Sequence, residues 1–131
     1  MLLVDTSVWI ELFRRPSRIT PDAFPLDDAV TCLPIVQEVL QGFRDEHAFR
    51  IAREAMFALP IVQSPMERPV FEDAVQLYRT ARRRGFTVRS SVDCLIAACA
   101  IRHGLTVLHT DRDYTSLSRI SPLRTQALPL R

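Results

Sequence analysis

Residues 91–111 read SVDCLIAACAIRHGLTVLHTD. Ser91 to His103 predicts a helix that is apolar nearly all round, the pattern of a helix buried on every side. Thr106 to His109 then predicts a strand ending at Thr110-Asp111. The N-terminus repeats the strand half of this pattern, since Leu2-Leu3-Val4 reads as a short buried strand running straight into Asp5. Strands alternating with helices imply a parallel sheet covered on both faces. In such sheets a site lies beyond the carboxyl ends of the strands, which puts Asp5 and Asp111 on one rim.

The intervening chain fits that plan. Thr6 or Ser7 is expected to cap a helix carrying Val8, Trp9, Leu12 and Phe13 on one side. Residues 14–29, with Pro16, Pro21 and Pro25, read as a loop. Val30 to Leu33 predicts a second strand, and Pro34 opens a helix running to Gly42 or Phe43. A helix is expected over 45–59, a short strand over Ile61-Val62-Gln63, and a long helix over 67–84 stopped by Gly85. The tail at Ala127-Leu128 suggests an edge strand. Residues 1–131 are expected to form a single domain.

Composition narrows the chemistry. Apolar residues make up 47% of the 131, enough for a core, and no run approaches the ~18 residues that span a bilayer. The opening MLLVDTSVWI lacks a basic segment and is broken by Asp5, so no signal peptide is expected. Cys32, Cys94 and Cys99 lack zinc-finger spacing and suit a reduced, cytoplasmic protein. All 17 cationic residues are Arg; the absence of Lys excludes Schiff-base chemistry and Walker-type phosphate binding. Arg suits phosphate and base contacts, although a GC-rich genome favours the same bias.

The carboxylates carry the argument. Asp93 shares its stripe with Ile96, Ala97 and Ala100, so it is partly withdrawn from water and needs a partner. No Arg lies within one turn in sequence. A divalent cation would serve; a first-turn Asp favoured by the helix dipole behind Ser90 or Ser91 is an equal alternative. Taken singly, Asp5, Asp111 and Asp113 read as cap or turn residues. Glu38 reads as a solvated acid, with Gly42 leaving room for another surface. Taken together, these acids reach one sheet edge. Hard oxygen donors without a Cys or His pair suit Mg²⁺ or Mn²⁺, and like charges so placed make sense around a cation. Such a centre hydrolyses phosphodiesters.

At this point four stretches resemble the PIN-domain family, and within it the VapC-type toxins of bacterial toxin–antitoxin pairs: MLLVDTSVWIELF, Glu38 to Gly42, Asp93 to Ala98, and His109 to Tyr114. The resemblance spans essentially the whole chain. It implies a three-layer α/β fold with a small parallel sheet of crossed strand order, flanked by helices. It implies Mg²⁺-dependent endoribonuclease activity, with Mn²⁺ substituting. It also implies a cognate VapB-like antitoxin and a homodimer; no membrane partner is expected, because no apolar run is long enough to span a bilayer. Carried over, the metal ligands are Asp5, Asp93 and Asp111, with Asp113 peripheral. Glu38 orients water, and Asp5, Glu38, Asp93 and Asp111 form the catalytic set. Ser7 looks like the family's hydroxyl neighbour of the first acid.

Other features are less directed. Arg79, Arg82, Arg83, Arg84 and Arg89 are positioned to track an RNA backbone, or are cations at a helix C-terminus. Trp9 reads as core. His103 and His109 read as structural, and His47 as surface. The rival readings are a haloacid-dehalogenase-like or other acidic-cluster phosphohydrolase, and a receiver-like or catalytically inactive PIN-like module that binds RNA or a partner. The first needs an Asp at position 7, where Ser stands, and both the first and a receiver need a Lys. An inactive module would have lost an acidic position, and none is lost.

Overall fold

A computed structural model describes residues 1–130. Its centre is a four-stranded parallel sheet in the order β2-β1-β3-β4, formed by β1 (Leu2–Val4), β2 (Ala29–Val30), β3 (Thr106–His109) and β4 (Arg124–Ala127). Among the described residues six α-helices surround it: α1 (Thr6–Phe13), α2 (Leu33–Gln41), α3 (Glu46–Phe57), α4 (Arg68–Arg83), α5 (Ser91–His103) and α6 (Arg112–Arg119). The result is the three-layer α/β architecture that the sequence pattern implies.

The central strands are apolar because both faces are covered. Leu3, Val4, Val107 and Leu108 are fully buried. Leu3 pairs with Val107 and Val4 with Leu108, and the Asp5 N–H extends the ladder by donating to the Leu108 carbonyl at 2.9 Å. This register sets the end of β1 beside the end of β3 and fixes where their following acids emerge. Helix α5 is buried almost all round, through Cys94, Ile96, Ala97, Ala98, Cys99 and Ala100, as expected. Gly104, at φ 64°, ends it in the left-handed conformation that glycine takes without penalty.

Several local expectations change. The cap of α1 is Asp5 itself, whose carboxylate accepts the Ser7 N–H; neither Thr6 nor Ser7 holds that position. Strand β2 ends at Val30, and Thr31 and Cys32 lead into α2, which begins at Leu33. Ile61 to Gln63 form no strand. Thr31 and Ile61 share an isolated parallel bridge, and Gln63 at φ 53° turns the chain away before a ladder can grow. The final strand lies at 124–127, ending where an edge strand at Ala127-Leu128 was expected to begin. Helix α6 was not anticipated. A Cβ added at Gly42 would meet only carbonyl oxygens of its own helix, of Val39 at 3.5 Å and Glu38 at 3.8 Å, so no second surface approaches there. The loop after α1 is pinned: Arg18 forks onto the buried Glu11 carboxylate, and Ile19 enters the core.

Candidate metal centre

Asp5 leaves β1, Asp111 leaves β3, and the parallel register delivers both to one edge. Asp5 accepts hydrogen bonds from the Ser7 N–H at 3.0 Å and the Ser7 hydroxyl at 2.6 Å, both on Oδ2. The Ser7 hydroxyl in turn accepts from the Thr110 N–H at 3.1 Å. Ser7 therefore ties the two strand ends together. Asp111 caps α6 and accepts the Asp113 N–H at 2.9 Å. Both aspartates are thus helix caps and rim acids at once; the two readings that compete in the sequence coexist in the fold.

Asp93 reaches the same place from the first turn of α5. One carboxylate oxygen from each of Asp93, Asp111 and Asp113 lies within 4.8 Å of the other two. Asp93 and Asp113 are buried, while the Asp111 side chain is 30% exposed. Asp93 Oδ2 is buried and has no hydrogen-bond partner among the described residues. Burial first, then the Asp113 carboxyl and the charges of Asp5 and Asp111, push the Asp93 carboxyl up to about 8. Helix capping alone does not explain this: Ser90 caps α5 without a side-chain bond, and the Asp93 carboxylate caps nothing.

Tyr114, fully buried, joins the first acid to this group. Its hydroxyl lies 2.6 Å from Asp5 Oδ1 and 3.2 Å from Asp93 Oδ1. Burial and the two aspartate charges hold the phenol well above its ordinary range, so it keeps its proton. A phenol has one proton to give, and the shorter contact takes it. The longer contact is then satisfied only when Asp93 carries a proton or a cation offsets its charge. Sequence reasoning gave Tyr114 no role. The usable signal was a tyrosine three residues after Asp111, whose hydroxyl needs a partner wherever the ring is buried.

Glu38 approaches from α2. It is half-buried, and its Oε1 accepts from the Thr6 hydroxyl at 2.8 Å. Thr6 follows Asp5 directly, so this bond sets Glu38 against the first acid and not in open solvent. Neither Glu38 nor Asp5 belongs to the tight trio. The trio itself offers only carboxylate oxygens, and the nearby His109 Nδ1 is taken up by the Asp111 N–H at 3.2 Å. Burial holds the neighbouring Cys94 thiol up at about 11, a neutral group. An orphaned buried carboxylate oxygen among hard donors fits a divalent ion such as Mg²⁺ or Mn²⁺.

The arginines divide. Arg89 faces the acids, Arg84 donates to the Arg119 carbonyl, and Arg79, Arg82 and Arg83 border a groove of about 850 Å³ between α4 and α5. Phe71, Val75, Tyr78, Val92 and Leu95 line that groove, and Asp93 does not. Trp9 is core, its indole N–H donating to the Val4 carbonyl. His109 is buried, with its pKa lowered by that burial. His103 meets Gln63 at the surface, and His47 is exposed. No helix among the described residues is long and apolar enough to cross a membrane.

Known proteins were compared with this arrangement. The PIN-domain family profile matches residues 2–120. Ribonuclease VapC11 of Mycobacterium tuberculosis H37Rv is 38% identical over 130 residues, covering 95% of this chain and 96% of the relative. VapC ribonuclease Mb1587 of Mycobacterium bovis matches equally. Among solved structures, VapBC2 of Rickettsia felis bound to a promoter DNA fragment superposes with a TM-score of 0.76 at 14% identity, over 98% of both chains. FitAcB of Neisseria gonorrhoeae superposes at 0.72 and 20% identity, over 95% of this chain and 96% of its own. With the profile spanning nearly the whole chain and the mycobacterial relatives aligned almost end to end, this chain belongs to the PIN-domain family.

Proposed function

We propose that residues 1–131 form one PIN domain that hydrolyses RNA phosphodiester bonds as a cytoplasmic VapC-type toxin, using Mg²⁺ or Mn²⁺. The observation that carries the reading is Asp93 Oδ2, a buried carboxylate oxygen without a hydrogen bond inside a ring of acids. The mycobacterial relatives named as ribonucleases support it. Asp5, Asp93, Asp111 and Asp113 would hold the ion, which when bound lowers the pKa of a coordinated water and offsets charge on phosphate oxygens. Glu38, fixed through Oε1 by Thr6, would orient the attacking water and accept its proton. Tyr114 and Ser7 hold Asp5 in a single orientation.

A cognate VapB-like antitoxin is the proposed protein partner, acting on a homodimer of this chain. The apolar floor and arginine border of the α4–α5 groove suit a peptide with apolar and acidic side chains. The VapBC2 composition of the Rickettsia neighbour is consistent with that partner.

The activity is tested on purified protein with a structured RNA and, separately, a phosphomonoester. Endonucleolytic RNA cleavage in Mg²⁺ or Mn²⁺, stopped by EDTA, is expected. Undiminished cleavage in EDTA, with contaminating nuclease excluded, overturns the metal mechanism; phosphomonoester turnover without RNA cleavage overturns the nuclease assignment.

A further inference from the structure

Arg89 stands where the acid cluster opens to solvent. Its Nη2 lies 3.4 Å from Asp111 Oδ1, and its Nε lies 3.5 Å from Asp113 Oδ1. Its main chain is anchored by the same group its side chain faces: the N–H groups of Arg89 and Ser90 donate to Asp113 Oδ2 at 3.0 and 3.1 Å. The Cα is therefore fixed, while the side chain, 59% exposed, remains free to leave for water.

The two contacts are long for charge-assisted hydrogen bonds, which shorten to about 2.7–2.9 Å when well formed. They hold the guanidinium by charge without locking it. Arg89 serves Asp111 and Asp113: among the described residues no ion pair reaches Asp93, and its Oδ2 has no hydrogen-bond partner there. An ion held by one oxygen from each of Asp93, Asp111 and Asp113 would draw on two carboxylates the guanidinium already faces, and two cations at that range repel.

Resting on the metal-site reading above, we propose that Arg89 is the resident cation of this centre, competing with the divalent ion for Asp111 and Asp113. It relieves repulsion between Asp111 and Asp113 in the metal-free protein and raises the ion concentration at which the site fills. Metal entry then displaces the side chain into solvent while the backbone clamp on Asp113 stays in place.

The test is calorimetric titration of Mn²⁺ into RNA-free wild type, Arg89→Gln and Arg112→Gln, with melting temperatures recorded in EDTA. Arg112 is exposed and forms no ion pair with Asp111 or Asp113 among the described residues, so its variant removes an equal charge nearby without removing the contacts. Arg89→Gln is expected to bind Mn²⁺ about three- to tenfold tighter, the worth of one or two half-exposed ion pairs, and to melt lower than wild type in EDTA only. Arg112→Gln is expected to change affinity much less. Equal or weaker binding by Arg89→Gln, or tightening no greater than that of Arg112→Gln, overturns the competition while leaving the metal centre intact. Absence of Mn²⁺ binding in all three proteins overturns the metal reading and the competition with it.

Discussion

Two buried acids in this chain live under opposite regimes. Glu11 on α1 is clasped by Arg18, whose Nε and Nη2 reach its two oxygens at 3.0 and 2.6 Å, and by Arg14 at 2.9 Å. The hydrogen bond from Arg18 leads in holding its carboxyl below the ordinary range. Asp93 on α5 is surrounded by Asp5, Asp111 and Asp113, and burial leads in raising it. One acid is complete within the chain; the other needs something from outside. Burial alone marks neither structure nor function. The distinction lies in whether the chain itself supplies the compensating charge.

The sharpest way to break the comparison is cleavage. Asp93→Asn is expected to lower RNA cleavage by ~10²-fold or more, the loss typical of removing one charge-stabilising group. Glu11→Gln should leave kcat close to wild type, since its partners only pin the loop. Single-turnover assays on both variants, folded by circular dichroism, decide it. An active Asp93→Asn enzyme or an inactive, folded Glu11→Gln enzyme would erase the distinction.

Tyr114→Phe sharpens it at smaller magnitude. The change removes only the hydroxyl between Asp5 and Asp93. Mn²⁺ affinity should fall by about tenfold, the lower end of what outer-shell partners contribute. Calorimetry alongside wild type measures this. Unaltered affinity would mean the phenol merely fills space.

The smallest expected effect is on stability, and the two acids give it opposite signs. In EDTA the Asp93 carboxyl titrates at about 8 in the native state, against 3.8 ordinarily. Between those values the native state keeps a proton the unfolded chain has lost. That contribution is complete below about pH 4 and is lost as pH rises through 8. Glu11 is lowered from 4.5, so its contribution is present above that value and is lost as pH falls through the native one. Melting temperatures from pH 3 to 9 should therefore show a decline between about pH 4 and 8 that Asp93→Asn flattens and an acid decline that Glu11→Gln reduces. At pH 9 in EDTA, Asp93→Asn should melt at or above wild type. An Asp93→Asn variant that keeps the full decline between about pH 4 and 8 would place the raised group elsewhere.

What the sequence discloses follows the same division. Helix α5 and β3 are legible because an apolar run of one length can only be a buried helix and of another only a buried strand. Asp5 and Asp111 are legible because strand ends in parallel sheets converge. Helix α6 is not, since Arg-Asp-Tyr-Thr-Ser-Leu-Ser-Arg offers only Tyr114 and Leu117 as an apolar stripe, and its start depends on the Asp111 cap. Strand β4, Arg-Thr-Gln-Ala, is polar and largely exposed; pairing with β3, not propensity, makes it a strand. The contacts of Tyr114, Thr6 and Arg89 escape for a third reason. Each partner lies more than twenty residues away in sequence, where no local pattern records it.

That last separation has a consequence during synthesis. Tyr114 meets Asp5 across 109 positions, and β1 can complete its inner pairing only with β3. A ribosome-bound chain that has not yet released residues 106–114 holds Asp5 alone, beside half a sheet. On the proposed function, the order of translation works as a safety catch: an enzyme made in direct contact with messenger and ribosomal RNA cannot assemble its cutting edge until residues 106–114 have emerged.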